Sequence, residues 1–299
     1  MPVVDHSSFP LPTSPSAKLW RYMDFTKLHN LCRTSKLYFA SAHHLREKDP
    51  FEGSYTLYHS TYQLVGTVGG EQDERWITER HTPPPDWDDR TWRWSQDVDL
   101  NIRMNLNKYM FINSWHMNDN ESLAMWKLYD PAGYGVAVVS SFDRLRESLA
   151  ANEEPIRIGC VTYIDYNADE KWLGNYYDPF IHKHKAFAHE REVRAIAWDS
   201  RWNACLERLH REMATKYYFQ TEPVNFGNDR QNVAREELTE SALSPPAGIG
   251  FDCDLDRLID CIVVSPTAQQ WVVEEIREYC NDMVGKQVLL SELKSGPFF

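Results

Sequence analysis

The chain has 299 residues, 42% of them hydrophobic, enough to bury a sizeable core in one large domain or two small ones. Its 32 basic residues against 44 acidic ones give a net charge of −12, which excludes general nucleic-acid binding driven by counterion release. No apolar run approaches the ~20 residues of a membrane span, and six cysteines without C-x-x-C or zinc spacing read as reduced thiols of a cytoplasmic protein.

The opening "MPVVDHSSFPLPTSPS" lacks the basic start and apolar core of a signal peptide. Its proline and serine content predicts a mobile arm over residues 1–18, followed by a single α+β domain over 19–299. "LWRYMDF" reads as a short strand. Phe25, Leu28 and Leu31 have helical spacing and lead into "KLYFAS", a strand. "EKDPFEG" is a turn fixed by proline, with Asp49 and Glu52 on it. Residues 66–97, with two glycine-rich points and a proline triplet, read as an insertion. "YMFINSW" is a strand. Asn118 and Glu121 have capping-box spacing for a helix whose face carries Ser122, Met125, Trp126 and Tyr129. "GVAVVSS" is a strand, "FDRLRESLAA" a helix, and "IRIGCVTYIDY" one strand. "YDPFIHKHKAF" reads as a helical turn, "NACLERLHREMATKYYF" as a helix, and residues 220–247 as a second insertion. "GIGFDCD" and "IDCIVVSP" are strands, "QQWVVEEIREYCND" is a helix, and "KQVLLSEL" closes the sheet.

The stretch "FAHEREVRAIAW", residues 187–198, carries the most suggestive chemistry. Read as a strand from Glu190 onward, it puts Glu190, Glu192 and Arg194 on one face. An exposed, ion-paired edge strand would account for this and contribute roughly 0–1 kcal/mol per pair. A paired-carboxylate site that stabilises a developing cation would account for it too. His182, His184 and His189 beside Glu190 lack the convergent third partner that a metal site needs, so no metal is assigned. There is no phosphate-binding P-loop, no G-x-G-x-x-G and no G-x-S-x-G.

In order, "WRYMDF" (20–25), "KLYFAS" (36–41), "EKDPFEG" (47–53), "ESLAMWKLY" (121–129), "GVAVVSS" (135–141) and "EREVR" (190–194) resemble the segments of a mostly bacterial family, domain-of-unknown-function family twenty-nine seventy-one. One departure is Lys48, where that family usually has Asn before Asp-Pro-Phe-Glu. More distantly, Arg21, then Ser140-Ser141, then Glu190-x-Glu192 resembles the Arg–Ser–Glu layout of ADP-ribosyltransferases. That resemblance implies a mixed, split β-sheet with flanking helices and an NAD-consuming ADP-ribosyltransferase or NAD glycohydrolase, used as a toxin or an antiviral-defence effector. It implies NAD as substrate, with Arg21 on the pyrophosphate and Ser140 or Ser141 on a ribose or orienting a glutamate. Glu192 would stabilise the oxocarbenium ion, and Glu190 would orient or activate an unidentified acceptor. Tyr22, Tyr38 and Phe39 would stack on nicotinamide. The alternative is a non-enzymatic module of the same fold that binds a nucleotide or a protein. The two differ in whether Arg21, Ser140 or Ser141 and Glu192 surround one cleft, or Glu192 is spent on Arg194.

Overall fold

A computed structural model of the chain describes residues 3–57, 88, 90, 105–130, 132–171, 173, 175–199, 201, 208 and 245–294. The expected insertion at 66–97 lies outside them except at positions 88 and 90, as do most of the helix at 203–219 and most of the 220–247 insertion.

In chain order the elements are β1 (Lys18–Asp24), α1 (Phe25–Thr34), β2 (Lys36–Ser41), α2 (Ala42–Leu45), β3 (Met110–Met117), α3 (Leu123–Tyr129) and β4 (Gly135–Ser141). Then come α4 (Phe142–Ser148), β5 (Ile156–Cys160), β6 (Thr162–Ile164), α5 (Asp178–Ile181), β7 (His182–His184), a 3-10 helix (Lys185–Glu190) and β8 (Glu192–Trp198). The last are β9 (Gly248–Asp252), α6 (Leu255–Leu258), β10 (Cys261–Val264), α7 (Gln270–Val284), β11 (Val288–Leu290) and a second 3-10 helix (Glu292–Lys294). The fold is therefore mixed α+β. Among the described residues its main sheet has nine strands, seven of them in the order β11-β10-β4-β1-β3-β2-β9, with β8 against β3 and β5 against β8. β10 and β11 are parallel, and the other pairs in this sheet are antiparallel. "IRIGCVTYIDY", expected as one strand, breaks at Val161: β5 joins the main sheet and β6 pairs with β7 in a separate two-stranded ribbon.

The helices begin where short polar side chains satisfy otherwise unpaired N–H groups. Asp24 caps α1, Ser41 caps α2, Ser122 caps α3 and Ser141 caps α4. One face of the sheet, with Leu19, Phe39, Phe111, Trp115, Val138 and Val193, packs under α1, α4 and α7 as the main core. The other face carries two separate apolar patches. Trp20 and Tyr22 pack under Met125 and Trp126 of α3, while Met110, Ile112 and Ile196 pack under Phe180 and Phe9. Between these patches the strands place polar side chains: Ser114 and His116 from β3, Glu192 and Arg194 from β8.

β3 also forks the sheet. One of its edges pairs with β8 from Met110↔Trp198 to His116↔Glu192. The other edge is shared, with β1 pairing at Trp20↔His116 and Leu19↔Met117, and β2 at Ala40↔Ile112 and Ser41↔Phe111. Between these registers β1 and β2 diverge, leaving Asn113–Trp115 without a strand on that edge among the described residues.

Residues expected to form a mobile arm are instead laid along the sheet: Val3 bridges Ile156 and Phe9 is buried. Among the described residues no helix is long and apolar enough to cross a membrane.

Candidate functional site

The polar gap on the second face is filled by a chain of buried charges. Arg194, 1% exposed, grips Glu52 with both terminal nitrogens, Nη1 to Oε1 at 2.7 Å and Nη2 to Oε2 at 2.8 Å. It also donates Nη1 to the Phe180 carbonyl at 2.6 Å, and it holds Glu192 through Nε at 3.0 Å and Nη2 at 3.2 Å. Lys183 bridges the two glutamates, reaching Glu190 Oε2 at 2.6 Å and Glu192 Oε2 at 3.3 Å. Three carboxylates thus share two cations, and a pair this well enclosed stands only while every member is present.

The protonation states follow from this packing. Burial alone would raise Glu192, but the charges of Arg194 and Lys183, with hydrogen bonds from Arg194 and Ser114, hold it at about 2. Burial pushes Glu52 the other way, above the usual carboxylate value, and outweighs its fork with Arg194. Burial would lower Lys183, yet Glu192 and Glu190 keep it above an ordinary lysine, so it stays charged.

Arg21 occupies the fork. Its Nη1 donates to the Ser114 carbonyl at 3.0 Å and its Nη2 to the Tyr38 carbonyl at 3.4 Å, where the contact is exposed. Asn113 closes the same corner through Nδ2 to the Tyr38 carbonyl at 2.7 Å. The guanidinium lies 5.8 Å from the centre of the Trp115 ring. Desolvation lowers Arg21 to about 10, and among the described residues no carboxylate is ion-paired with it. Ser114 links this corner to the charge chain, because its carbonyl accepts from Arg21 and its hydroxyl hydrogen-bonds Glu192. Tyr129 of α3 feels the charges of both. Its phenol is pushed to about 12 by burial and then by Glu190 and Glu192, against the opposing charges of Lys183 and Arg21.

The anticipated residues are only partly brought together. Glu190, Glu192 and Arg194 converge, but not as a continuous exposed edge strand: β8 lies between β3 and β5. Glu190 ends the 3-10 helix, and Arg191 turns at a left-handed φ of 42° before the strand begins. Ser140 does not join them. It sits beside Leu19 on the core face and donates to the Leu258 carbonyl at 2.6 Å. Ser141 accepts the Arg144 N–H as a helix cap. Tyr22 is packed edge-on to Trp126 with ring centres 4.9 Å apart, and its hydroxyl accepts the Ser122 N–H. Phe39 is fully buried against Phe251. Tyr38 gives the fork its carbonyl, while its 46% exposed side chain lies against Gly248 of β9.

Ser114, His116 and Lys183 are members that the motif reading passed over. For the first two a signal exists: polar side chains at alternating positions interrupt one face of the otherwise apolar strand "MFINSWHM". His116 donates from Nδ1 to the Glu190 carbonyl at 2.5 Å and ties β3 to the turn. No protein-family model, curated protein or solved structure matches the chain. The arrangement offers a guanidinium that rises from the core-face row of β1 into the gap of the fork, with two glutamates and the partly exposed Tyr129 on the second face.

Proposed function

We propose that the chain binds NAD across the fork and cleaves its nicotinamide–ribose bond, as an ADP-ribosyltransferase or NAD glycohydrolase does. The observation that carries this is Arg21, a desolvated guanidinium with no carboxylate to neutralise it among the described residues, whose Nη2 reaches the Tyr38 carbonyl at an exposed contact. Arginine pairs with phosphate oxygens and stays charged, so a pyrophosphate is the ligand group that best complements it. Tyr38 and Tyr129, 46% and 40% exposed, offer ring faces to a base or to nicotinamide. A carboxylate of the Glu190/Glu192 pair supplies the negative charge that a cation developing at the ribose carbon requires. The ordered resemblance to ADP-ribosyltransferases supports the same reading, and a role in toxicity or antiviral defence would follow from it by analogy alone.

A second reading, a nucleotide- or protein-binding module without turnover, is favoured by Glu192, whose two oxygens are both taken by Arg194 and Lys183. The test is to incubate purified protein with NAD and measure both bound NAD and released nicotinamide, beside Arg21→Gln. Binding with release supports the first reading, and binding alone supports the second. Loss of a charge-assisted pair worth about 1.5–3 kcal/mol should weaken NAD binding on the order of 10- to 100-fold in Arg21→Gln. No NAD binding to the native protein would sink the nucleotide reading.

A further inference from the structure

We infer that Glu190, and not Glu192, is the carboxylate that meets the reacting sugar, and that Glu192 is a positioning residue anchored to the sheet. This rests on the NAD-cleaving reading above and assigns the roles within it. Glu192 is 5% exposed, and its Oε1 accepts from Arg194 Nε at 3.0 Å. Its Oε2 accepts from Arg194 Nη2 at 3.2 Å and from Lys183 Nζ at 3.3 Å, and the Ser114 hydroxyl adds a further bond. A substrate reaching it would have to displace a buried cation that has no other site to occupy. Glu190 differs. Its Oε2 accepts from Lys183 at 2.6 Å, while its Oε1 has no hydrogen bond among the described residues.

The backbone around Glu190 is held as a mount for that carboxylate. His116 donates to its carbonyl at 2.5 Å, Met117 N–H donates to the Arg191 carbonyl at 2.9 Å, and Arg191 Nη1 donates to Asn118 Oδ1 at 3.1 Å. The left-handed Arg191 between the two glutamates turns Glu190 out of the strand and leaves Glu192 in it. Lys183, with its ammonium 4.5 Å from the centre of the Phe187 ring, donates to Glu190 Oε2 at 2.6 Å and fixes its orientation. In the reaction the C1′–N bond breaks and its electron pair leaves with nicotinamide. The positive charge left on the ribose is stabilised by Glu190 Oε1. The oxygen of a water or acceptor hydroxyl then bonds to C1′, and its proton passes to Glu190.

The experiment compares nicotinamide release, NAD affinity and melting temperature for the native chain, Glu190→Gln and Glu192→Gln, with kcat followed over pH. Glu190→Gln, which removes one of the two carboxylates that hold Lys183, should melt lower but stay folded, bind NAD unchanged, lose about 100-fold or more in kcat, and lose the acid limb of the pH profile. Glu192→Gln should melt lower yet retain turnover and that acid limb in its folded fraction. If it does not fold, Glu192→Asp, which keeps the charge beside Arg194, takes its place with the same expectation. A folded Glu192 variant that binds NAD but is inactive, beside a Glu190→Gln that turns over, overturns the assignment. A native chain that binds NAD without release removes the NAD-cleaving reading and this assignment with it.

Discussion

Arg194 concentrates the most electrostatic consequence in a single residue, because it holds two carboxylates from elements 142 and 2 positions away and is 1% exposed. Breaking an enclosed pair by removing one partner costs about 3–5 kcal/mol, mostly because the other charge is stranded. Arg194→Met should therefore destabilise the fold by that amount in urea melts at neutral pH, and a loss below about 1 kcal/mol would mean the pairs are solvated. The pH dependence has a definite sign. Glu192 sits at about 2 in the folded chain against an ordinary 4.5, so its contribution is complete above the ordinary value and drains away as pH falls towards 2. Glu52, raised by burial, acts with the opposite sign and gains nothing from added base. Urea melts between pH 5 and 2 should show native stability falling with acid and the slope flattening in Glu192→Gln; an unchanged slope would assign the acid sensitivity to other groups.

At the scale of elements, α3 is fastened from a distance. Glu121 accepts from Trp126 Nε1 at 2.8 Å, from Ser291 Oγ at 2.6 Å, and from the N–H groups of Glu292 and Leu293 at 2.6 and 3.3 Å. One carboxylate thus fixes the start of α3 and caps the 3-10 helix at Glu292–Lys294. Glu121→Ala should cost about 1–3 kcal/mol and speed hydrogen exchange at the Glu292 and Leu293 amides, with α1 unaffected. Equal protection in the variant would show that the Lys294 bond to the Ala268 carbonyl suffices to hold the segment. The same residue marks the limit of what spacing reveals. Asn118 and Glu121 had the pattern of a capping box, but Ser122 caps the helix and Glu121 works across 170 residues. Local features were legible: the helix at Phe25–Thr34, the strands "KLYFAS" and "GVAVVSS", and the Glu192–Arg194 alternation all follow from periodicity and propensity. The rest was not, because it depends on non-local pairing. Nothing local tells that Ser140 faces the core beside Leu258 while Ser114 faces the glutamates, or that an arginine at position 191 adopts a left-handed turn.

At the scale of the whole molecule, the sheet, nine-stranded among the described residues, must guard its exposed edges, since an unpaired strand invites pairing with another chain. The free side of β5 is covered by the first residues of the chain. Val4 N–H donates to the Ile156 carbonyl at 3.0 Å, and Cys160 N–H donates to the Pro10 carbonyl at 2.7 Å. Phe9 lies over Gly159 so closely that a Cβ there would stand 2.8 Å from the Phe9 Cβ, so the glycine is what admits the segment. Phe9 also meets Tyr177 edge-on, with ring centres 5.6 Å apart, and belongs to the apolar patch that supports one end of the charged gap. Proline and serine composition describes how this stretch behaves alone, whereas its docking depends on an edge and a hydrophobic socket supplied by residues about 150 positions later. Two variants separate the roles. Phe9→Ala removes the anchor and should cost about 3–5 kcal/mol as a buried aromatic truncation, read in urea melts. Deleting residues 1–10 uncovers the backbone of β5 as well, and should add concentration-dependent self-association by light scattering to the loss of stability. A deletion variant that melts like the native chain and stays monodisperse would mean that β5 needs no cover. In that case the N-terminal segment would be a passenger on the sheet, and the gap between the two apolar patches would not depend on it.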